Sequence, residues 1–359
     1  MSADQSFSGT KPVEDRHRID EAKLARWLEA NVAGYKSPLA VSQFKGGQSN
    51  PTYCLETPAR RYVLRRKPFG KLLPSAHAVD REFRVISALH KAGFPVPETF
   101  GLCTDDDIIG AMFYVMALVE GRILWTATLP DMTAAGRRAI YEAEIATLAR
   151  LHSYDPAAIG LGDYGRPGNY FARQIERWSK QYRASQTDPI PQMNRLMDFL
   201  PATVPEQGRT TVVHGDFRLD NMIFAANEPR VAAVLDWELS TLGDPLADFT
   251  YFLMVYAMPP ASTATAGSNG LAGVALAPLG IPTLDEAVAQ YCAATGRSGL
   301  PALDWYFAYN FFRLSAICQG IAGRVRDGTA ASAQAIATAA KARPLAETAW
   351  TFAVKAGAT

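Results

Sequence analysis

A short run of polar chemistry constrains this chain more than any bulk property does. Thr211–Val213 reads as a strand and is followed by His214-Gly215-Asp216; Asn221 stands five residues after Asp216, and the apolar run Val231–Leu235 ends in Asp236. The stretch supplies a carboxylate that can take a proton, an amide oxygen, and a second carboxylate at the end of the next strand. Phosphoryl transfer needs that set: a base beside the attacking hydroxyl and hard oxygen ligands for Mg²⁺ on the nucleotide phosphates. Asp216 is therefore the expected catalytic base, and Asn221 and Asp236 are the expected metal ligands. A plain Gly-Asp turn after a strand is the alternative, but it does not account for Asn221 and Asp236. His214 is expected to prop the loop through backbone hydrogen bonds rather than to move protons. Asp220, one residue out of register, is expected to be solvated; Glu238 reads equally as an oxygen for a second metal or for the substrate.

The protein-kinase pattern separates its catalytic Asp and metal-binding Asn by the same interval. Here Gly215 stands where H-R-D has Arg, and Asp236-Trp237-Glu238 stands where D-F-G is expected. There is no A-P-E either. These departures point to small-molecule kinases. The segments VVHGDFRLDNMIF and VLDWELSTLGDPLADF, within 212–249, resemble the aminoglycoside phosphotransferase and choline-kinase-like superfamily. Together with VLRRKPFGKLLPSAHAVDREFRV (63–85), they resemble the kinase-like domain found fused to, or encoded beside, acyl-CoA dehydrogenases.

The resemblance runs from about Phe44 to Gly320. It implies an α+β, bilobal protein-kinase-like fold with a small β-rich N-lobe and a larger, mainly helical C-lobe. It also implies ATP and Mg²⁺ as cofactors, a hydroxyacyl-CoA as acceptor and an acyl-CoA dehydrogenase as partner.

At 359 residues, with 48% hydrophobic and 20% charged residues, the chain can bury a full globular core. Its net charge of +1 gives no global electrostatic case for nucleic acid or a membrane surface. Cys54, Cys103, Cys292 and Cys318 lack C-x-x-C spacing, so neither a zinc site nor a disulfide framework is expected. The N-terminal segment has no apolar core, and the longest apolar run, Phe249–Met258, is about half of the roughly 20 residues a spanning helix needs. The expectation is a soluble, cytoplasmic protein.

Residues 1–18 read as a disordered lead, and 1–34 as an N-terminal extension with a helix at 20–31. Strands are expected at Leu39–Phe44, Thr52–Thr57, Tyr62–Arg66 and Met112–Leu118, with a helix at 76–91 between the last two. This gives a nucleotide-binding N-lobe over 35–118, a hinge near 116–121, and a C-lobe for catalysis and substrate over 119–359. Helical periods dominate the C-lobe, at 133–152, 169–186, 190–200, 246–258, 284–295, 302–322 and 330–356. The uncharged stretch 266–280 reads either as a plain connection or as a flap beside the substrate.

On helix 76–91, Val79, Phe83, Ile86 and Leu89 form the expected buried stripe, and Glu82 falls inside it. A carboxylate there is costly unless it meets a cation; the other outcome is a Glu that snorkels to water. In the kinase-like arrangement that cation lies on the preceding strand and also holds the nucleotide phosphates, which selects Arg65 where the family has lysine, with Lys67 as alternative. The phosphate-covering loop is expected at Lys45–Asn50, where Gly46 and Gly47 allow close backbone approach and Ser49 and Asn50 offer donors. It matches neither G-x-G-x-x-G nor the Walker pattern, and a bare hairpin turn is the competing reading. Met116 and Leu118 are the implied nucleotide contacts at the hinge.

Asp244-Pro245 is expected to start a helix, Asp248 to brace the catalytic segment as in the family, and His152 to be a buried helix-end residue.

Residues 60–71 hold six Arg or Lys and no acid, and 300–359 hold six against three acids. A solvated basic edge would explain the first run. An anionic acceptor would explain both, and would argue against polycationic antibiotics. An ATP-dependent small-molecule O-kinase is the favoured reading. A nucleotide-binding pseudokinase that scaffolds a partner, or an aminoglycoside- or choline-type kinase, is the alternative.

Overall fold

The computed structural model describes residues 9–45, 50–69, 77–260, 269–328 and 335–359. The chain divides into two compact units. The first comprises Met1–Trp125, Ala157–Leu161 and Arg218–Ser240; the second comprises Thr126–Pro156, Gly162–Phe217 and Thr241–Thr359.

The first unit is built on an antiparallel sheet of strands β1 (Thr10–Lys11), β2 (Ala40–Phe44), β3 (Thr52–Glu56), β4 (Arg61–Arg66), β5 (Thr99–Cys103) and β6 (Phe113–Ala117), in the order β1-β2-β3-β4-β6-β5. Strand alternation assigns the two faces. Tyr53, Leu55, Tyr62, Leu64, Phe113 and Val115 point to one face and form a core with Leu24 and Leu28 of the helix Glu21–Asn31. That helix begins at Asp20, whose side chain accepts from Lys23 N at 2.9 Å, an N-cap that satisfies one of the amides left open at a helix start.

The other face carries Arg65 and Tyr114, paired across β4 and β6, and meets the helix Val79–Lys91. The buried stripe of this helix is Val79, Glu82, Val85, Ile86 and Leu89. Val85 replaces the expected Phe83, which is half-buried with its ring edge-on to Tyr114 at 6.1 Å. The helix ends in a left-handed Gly93, φ +80°, whose N–H returns to His90 O.

Two readings of this region change. Residues 9–18 are not a disordered lead: Thr10–Lys11 pairs with Gln43–Phe44, and Tyr53 donates its hydroxyl to His17 O at 2.7 Å. Strand β5, which has only half-buried residues apart from Cys103, gave too weak an alternation to be expected.

A hairpin of Met222–Phe224 and Val231–Val234 completes the unit. Phe224 exchanges two backbone hydrogen bonds of 2.8 Å with Arg122. The approach is so close that a Cβ on Gly121 would lie 2.2 Å from Phe224 O, so only glycine fits there.

The second unit is mainly helical. Its longest helix, Leu303–Arg326, is buried around most of its circumference and packs on Tyr170–Ser185, Pro191–Ala202, Leu246–Leu253 and Ala342–Lys355. An all-round apolar helix of this kind belongs in the centre of a core. A two-stranded ladder, Thr211–Val213 with Thr241–Gly243, carries the His214 loop at one end. Thr283 and Glu286 form a reciprocal capping box at the start of Leu284–Thr295.

The expected helix 246–258 stops at Leu253 and tightens into a single 3₁₀ turn, Met254–Tyr256. The expected helix 330–356 is two described helices, Ala335–Ala339 and Ala342–Lys355. Of the stretch 266–280, residues 266–268 lie outside the described residues; at the start of the rest, Asn269 Oδ1 accepts from Ala127 N at 2.8 Å and Gly270 N donates to Pro259 O at 3.0 Å. All four cysteines are buried free thiols, and no helix among the described residues is long and apolar enough to cross a membrane.

Candidate active site

In the first unit, one guanidinium organises the charged residues. Arg65 lies 2.7 Å from Glu82 Oε2 through Nε, donates from Nη2 to Asp236 Oδ1 at 2.8 Å, and reaches Glu238 Oε2 at 3.5 Å. Glu82 is 1% exposed and receives two further donors, Asn50 Nδ2 at 2.9 Å and the Tyr114 hydroxyl at 3.1 Å. The stripe position of Glu82 therefore hides an ion pair and not a snorkelling side chain. Burial raises the Glu82 carboxyl above its ordinary value, with the Arg65 charge pulling the other way. For Arg65, burial alone would lower the pKa, but Glu82, Tyr114, Asp236 and Glu238 together raise it, so the guanidinium is held charged.

Asn221 and Asp236 flank the base of the 222–234 hairpin. Met222 pairs with Val234, and Leu235 N donates to Asn221 O at 2.8 Å, which brings Asn221 beside the residue preceding Asp236. Asp236 sits in the left-handed region, φ +62°, a conformation Asp tolerates better than most residues and one that recurs at functional sites. Arg65 engages its Oδ1, and among the described residues no group bonds its Oδ2.

The described residues contain no cluster of three or more His, Cys, Asp or Glu that could hold a metal. A Mg²⁺ ion bound mostly by phosphates and water needs only one or two protein oxygens, so Asn221 with the open oxygen of Asp236 fits it. Asp220 forms an ion pair with Arg218 at 3.1 Å instead of being merely solvated.

Other expected nucleotide residues fall out differently. Gly46, Gly47 and Ser49 lie outside the described residues. Asn50 is fully buried, with Nδ2 on Glu82 and Oδ1 2.8 Å from His77 Nδ1, so its side chain is committed to holding Glu82 and not to a phosphate. Lys67 follows β4, its N–H bonded to Met112 O at 3.0 Å, and its ammonium has no partner among the described residues. Met116 is buried in β6, and Leu118 is half-buried just past its end.

The run 60–71 is not a continuous anion-binding strip where it is described. Arg60 lies over the Phe100 ring at 4.5 Å, Arg61 pairs with Glu120, and Arg65 serves three acids. Arg66 is wholly buried against Tyr53 and Phe69. Lys71 lies outside the described residues.

In the second unit, the loop after Thr211–Val213 is held by backbone hydrogen bonds. Gly215 has φ +89°, a conformation that L side chains rarely adopt, which explains glycine between His and Asp. Asp248, fully buried, accepts from His214 N at 2.6 Å and Gly215 N at 2.8 Å, the bracing role expected of it. Burial would raise the Asp248 carboxyl, but His152, His214 and the Gly215 amide more than offset this and hold it below the usual range.

His152 bridges Asp248, at 3.5 Å from Nε2, and the Tyr291 hydroxyl, at 2.7 Å from Nδ1, and burial lowers its pKa. His214 Nδ1 accepts from Asp216 N at 3.1 Å, so His214 props the loop. Asp216 itself is half-buried, and its Oδ1 accepts from the Tyr251 hydroxyl at 2.7 Å. Asp244 Oδ1 caps the following helix through Leu246 N at 2.8 Å.

Sequence reasoning missed three groups. Tyr251 is hidden in the apolar run Phe249–Met258. Tyr114 reads as an ordinary strand aromatic. Arg313, which donates to Gly215 O at 2.5 Å, was counted only as bulk charge. A signal for Arg313 existed: it is the lone charged residue between Trp305 and Gly323 in a helix rich in apolar and aromatic residues.

A sheet carrying a cation–glutamate pair, a carboxylate at a hairpin end and a braced Asp loop define the kinase-like phosphotransferase class. The chain belongs to the phosphotransferase enzyme family (APH), whose sequence profile it matches over residues 40–306. It is 44% identical over 349 residues to the mouse protein acyl-CoA dehydrogenase family member 10, covering 97% of this chain but only 32% of that protein. A crystal structure from Ralstonia eutropha JMP134, provisionally named an aminoglycoside phosphotransferase, is 47% identical, with a TM-score of 0.85 over 94% of this chain and 99% of the other. The fold alone is shared with the aminoglycoside phosphotransferase APH(4)-Ia in its ternary complex with ADP and hygromycin B, 16% identical with a TM-score of 0.58 over 93% of this chain and 98% of the other.

Proposed function

We propose that the chain is an ATP- and Mg²⁺-dependent phosphotransferase acting on the hydroxyl of a small molecule, with Asp216 as general base. The observation that carries this reading is the Asp216 carboxylate itself. It stands on a loop whose backbone amides are fixed by Asp248, and one of its oxygens is oriented by Tyr251. A base held this way can accept the acceptor's proton as the oxygen attacks the γ-phosphoryl group.

Asn221 and Asp236 would hold the metal, which when bound neutralises charge on the nucleotide phosphates. Arg65, fixed by Glu82, and Lys67 are the cations proposed for the nucleotide phosphates, with Met116 and Leu118 beside the base. The phosphate-covering role of Gly46, Gly47 and Ser49 is part of the same proposal, to which Asn50 contributes through Glu82. ADP in the APH(4)-Ia complex supports a nucleotide co-substrate.

For the acceptor, the proposal is a hydroxyacyl-CoA, with an acyl-CoA dehydrogenase as partner; the name of the mouse relative, of which this chain covers 32%, supports a link to acyl-CoA chemistry. The excess of basic residues over 300–359 agrees with an anionic acceptor. The run 60–71 lends this no support, because its described arginines are engaged within the protein.

A screen of ATP consumption against hydroxyacyl-CoAs, free hydroxy acids, choline and aminoglycosides, with the phosphomonoester product identified by ³¹P NMR, tests the proposal. Turnover of a hydroxyacyl compound is expected. Turnover of kanamycin-type antibiotics with no acyl acceptor used would refute the acyl assignment.

One observation favours a second reading, a nucleotide-binding pseudokinase: the Arg65–Asp236 contact occupies one oxygen of the metal-binding carboxylate. ATP affinity that is indifferent to Mg²⁺ would favour that reading.

A further inference from the structure

Among the described residues three arginines are deeply placed, and their partners differ. Arg65 meets three carboxylates. Arg66, 0% exposed, donates to the Tyr53 hydroxyl and Lys67 O and lies 3.6 Å from the Phe69 ring centre; its remaining Nη2 is sealed from any ligand. Arg313 is only 7% exposed, yet among the described residues it has a single hydrogen-bond acceptor, Gly215 O, and no carboxylate within ion-pair distance. The rings of Tyr251 and Trp178 flank its guanidinium at 5.1 and 5.8 Å.

A guanidinium has five N–H donors in a fixed fork. Burial works against this charge, and Tyr309, Tyr251 and Tyr170 with the nearby Asp216 carboxylate offset that without bonding it, so most of its N–H donors stay open to the paired oxygens of a ligand. Arg313 keeps a small exposed surface, 7%, where Arg66 has none.

The position fixes what that counter-ion belongs to. Arg313 bonds the carbonyl of Gly215, the residue before Asp216, and Tyr251 both flanks Arg313 and donates to Asp216 Oδ1. We propose that Arg313 is the specificity-determining residue for the acceptor: it binds an oxyanion carried by the molecule whose hydroxyl lies at Asp216. This deepens, and rests on, the assignment of Asp216 as base. The oxyanion is either the acceptor's own carboxylate or a phosphate of its CoA thioester. In both, a planar fork offers paired donors to paired oxygens. A polyammonium acceptor would meet a like charge at the same place.

The test measures binding and turnover separately, with wild type, Arg313→Met and Arg313→Lys. The probes are 2-, 3- and 4-hydroxybutyrate, 3-hydroxybutyryl-CoA and the uncharged methyl 3-hydroxybutyrate. Binding is read by calorimetry, in the presence of ADP, and turnover by ATP consumption. At least one anionic probe is expected to bind, and Arg313→Met is expected to weaken it about 10- to 100-fold, the range for losing a charge-assisted hydrogen bond. The methyl ester is expected to be little affected, and Arg313→Lys to fall between the two. If the Met variant does not fold, the Lys variant carries the same comparison.

Loss confined to the hydroxybutyrates identifies a carboxylate, and loss confined to the CoA thioester identifies a phosphate. Equal loss for charged and uncharged probes means that Arg313 only supports the loop, and overturns the proposal. So does the failure of every anionic probe to bind. Arg313-dependent binding without phosphoryl transfer would uphold this inference and sink the kinase assignment. Transfer that is indifferent to acceptor charge would do the reverse.

Discussion

The charged residues of the first unit and those of the second are assembled on opposite principles. Around Arg65 the charges neutralise one another: one guanidinium sits among Glu82, Asp236 and Glu238, and the most buried of these acids gains two neutral donors. In the Asp216 loop the charged groups are held largely through neutral donors and acceptors. Asp248 is held by backbone amides, Arg313 by a backbone carbonyl, and Asp216 by a phenol. The first arrangement presets the position of the cation proposed for the nucleotide phosphates. The second is the arrangement that the proposed acceptor site calls for. A group saturated by its neighbours is suited to positioning, and one held through neutral contacts is suited to chemistry.

The largest expected effect breaks the self-neutralised side. Glu82→Ala would leave the Arg65 guanidinium with its most buried partner missing, at a cost of about 3–5 kcal/mol in unfolding free energy. A double-mutant cycle with Arg65→Ala, read by denaturant titration, should give a coupling of about 0.5–3 kcal/mol, because each change removes the same interaction. Simple additivity would mean that the pair is incidental and would shift attention to Lys67.

Next in size is Asp248→Ala, which strands the buried amides of His214 and Gly215. Each amide left without an acceptor costs about 1–3 kcal/mol, and kcat should fall with stability because the same loop carries Asp216. A variant with unchanged melting temperature and kcat would contradict the bracing role.

A comparable test of the first side is Asp236→Ala. It should remove the Mg²⁺-dependent part of ATP affinity while leaving metal-free affinity intact, as measured by calorimetry with and without the ion. Equal affinities for wild type and variant in Mg²⁺ would remove Asp236 from the metal site.

The smallest effect is a pH dependence. Burial holds the His152 imidazole below its ordinary value near 6.5, so the fold favours the neutral ring. The stability this contributes is present above the unfolded-state value and is lost as pH falls through the lower folded-state value. Melting temperature should therefore drop on acidification from about pH 7 to pH 5, and His152→Gln should flatten that drop. A wild-type curve no steeper than the variant's would contradict the assignment.

The two sides were not equally legible in the sequence. The need of Glu82 for a cation could be read from helical geometry, because a glutamate inside an apolar stripe demands one; the kinase-like pattern pointed to Arg65, with Lys67 as the alternative. Gly215 was visible as a departure from the kinase pattern, but its cause, a left-handed φ, is a property of the folded loop. Asn50 was expected to face a phosphate and instead holds Glu82, since a turn residue's direction depends on a helix some thirty residues away in sequence. Arg66 was counted with an exposed basic run, although alternation along β4 sends it to the face opposite Arg65. Tyr251 and Arg313 were lost in apolar helices, where periodicity reports burial and says nothing of which buried polar atom meets the loop.

Asp216→Asn tests the central claim most directly. Asparagine keeps the shape of the side chain and an acceptor for Tyr251 but cannot take a proton. With the acceptor identified by the screen, kcat should fall by about 10²–10⁴, while the Kd for ATP, measured separately by calorimetry in Mg²⁺, stays within a few fold. That split marks an interaction made in the transition state and not in nucleotide binding. A variant that keeps most of its kcat, or one that loses ATP affinity along with it, would show that Asp216 is not the base.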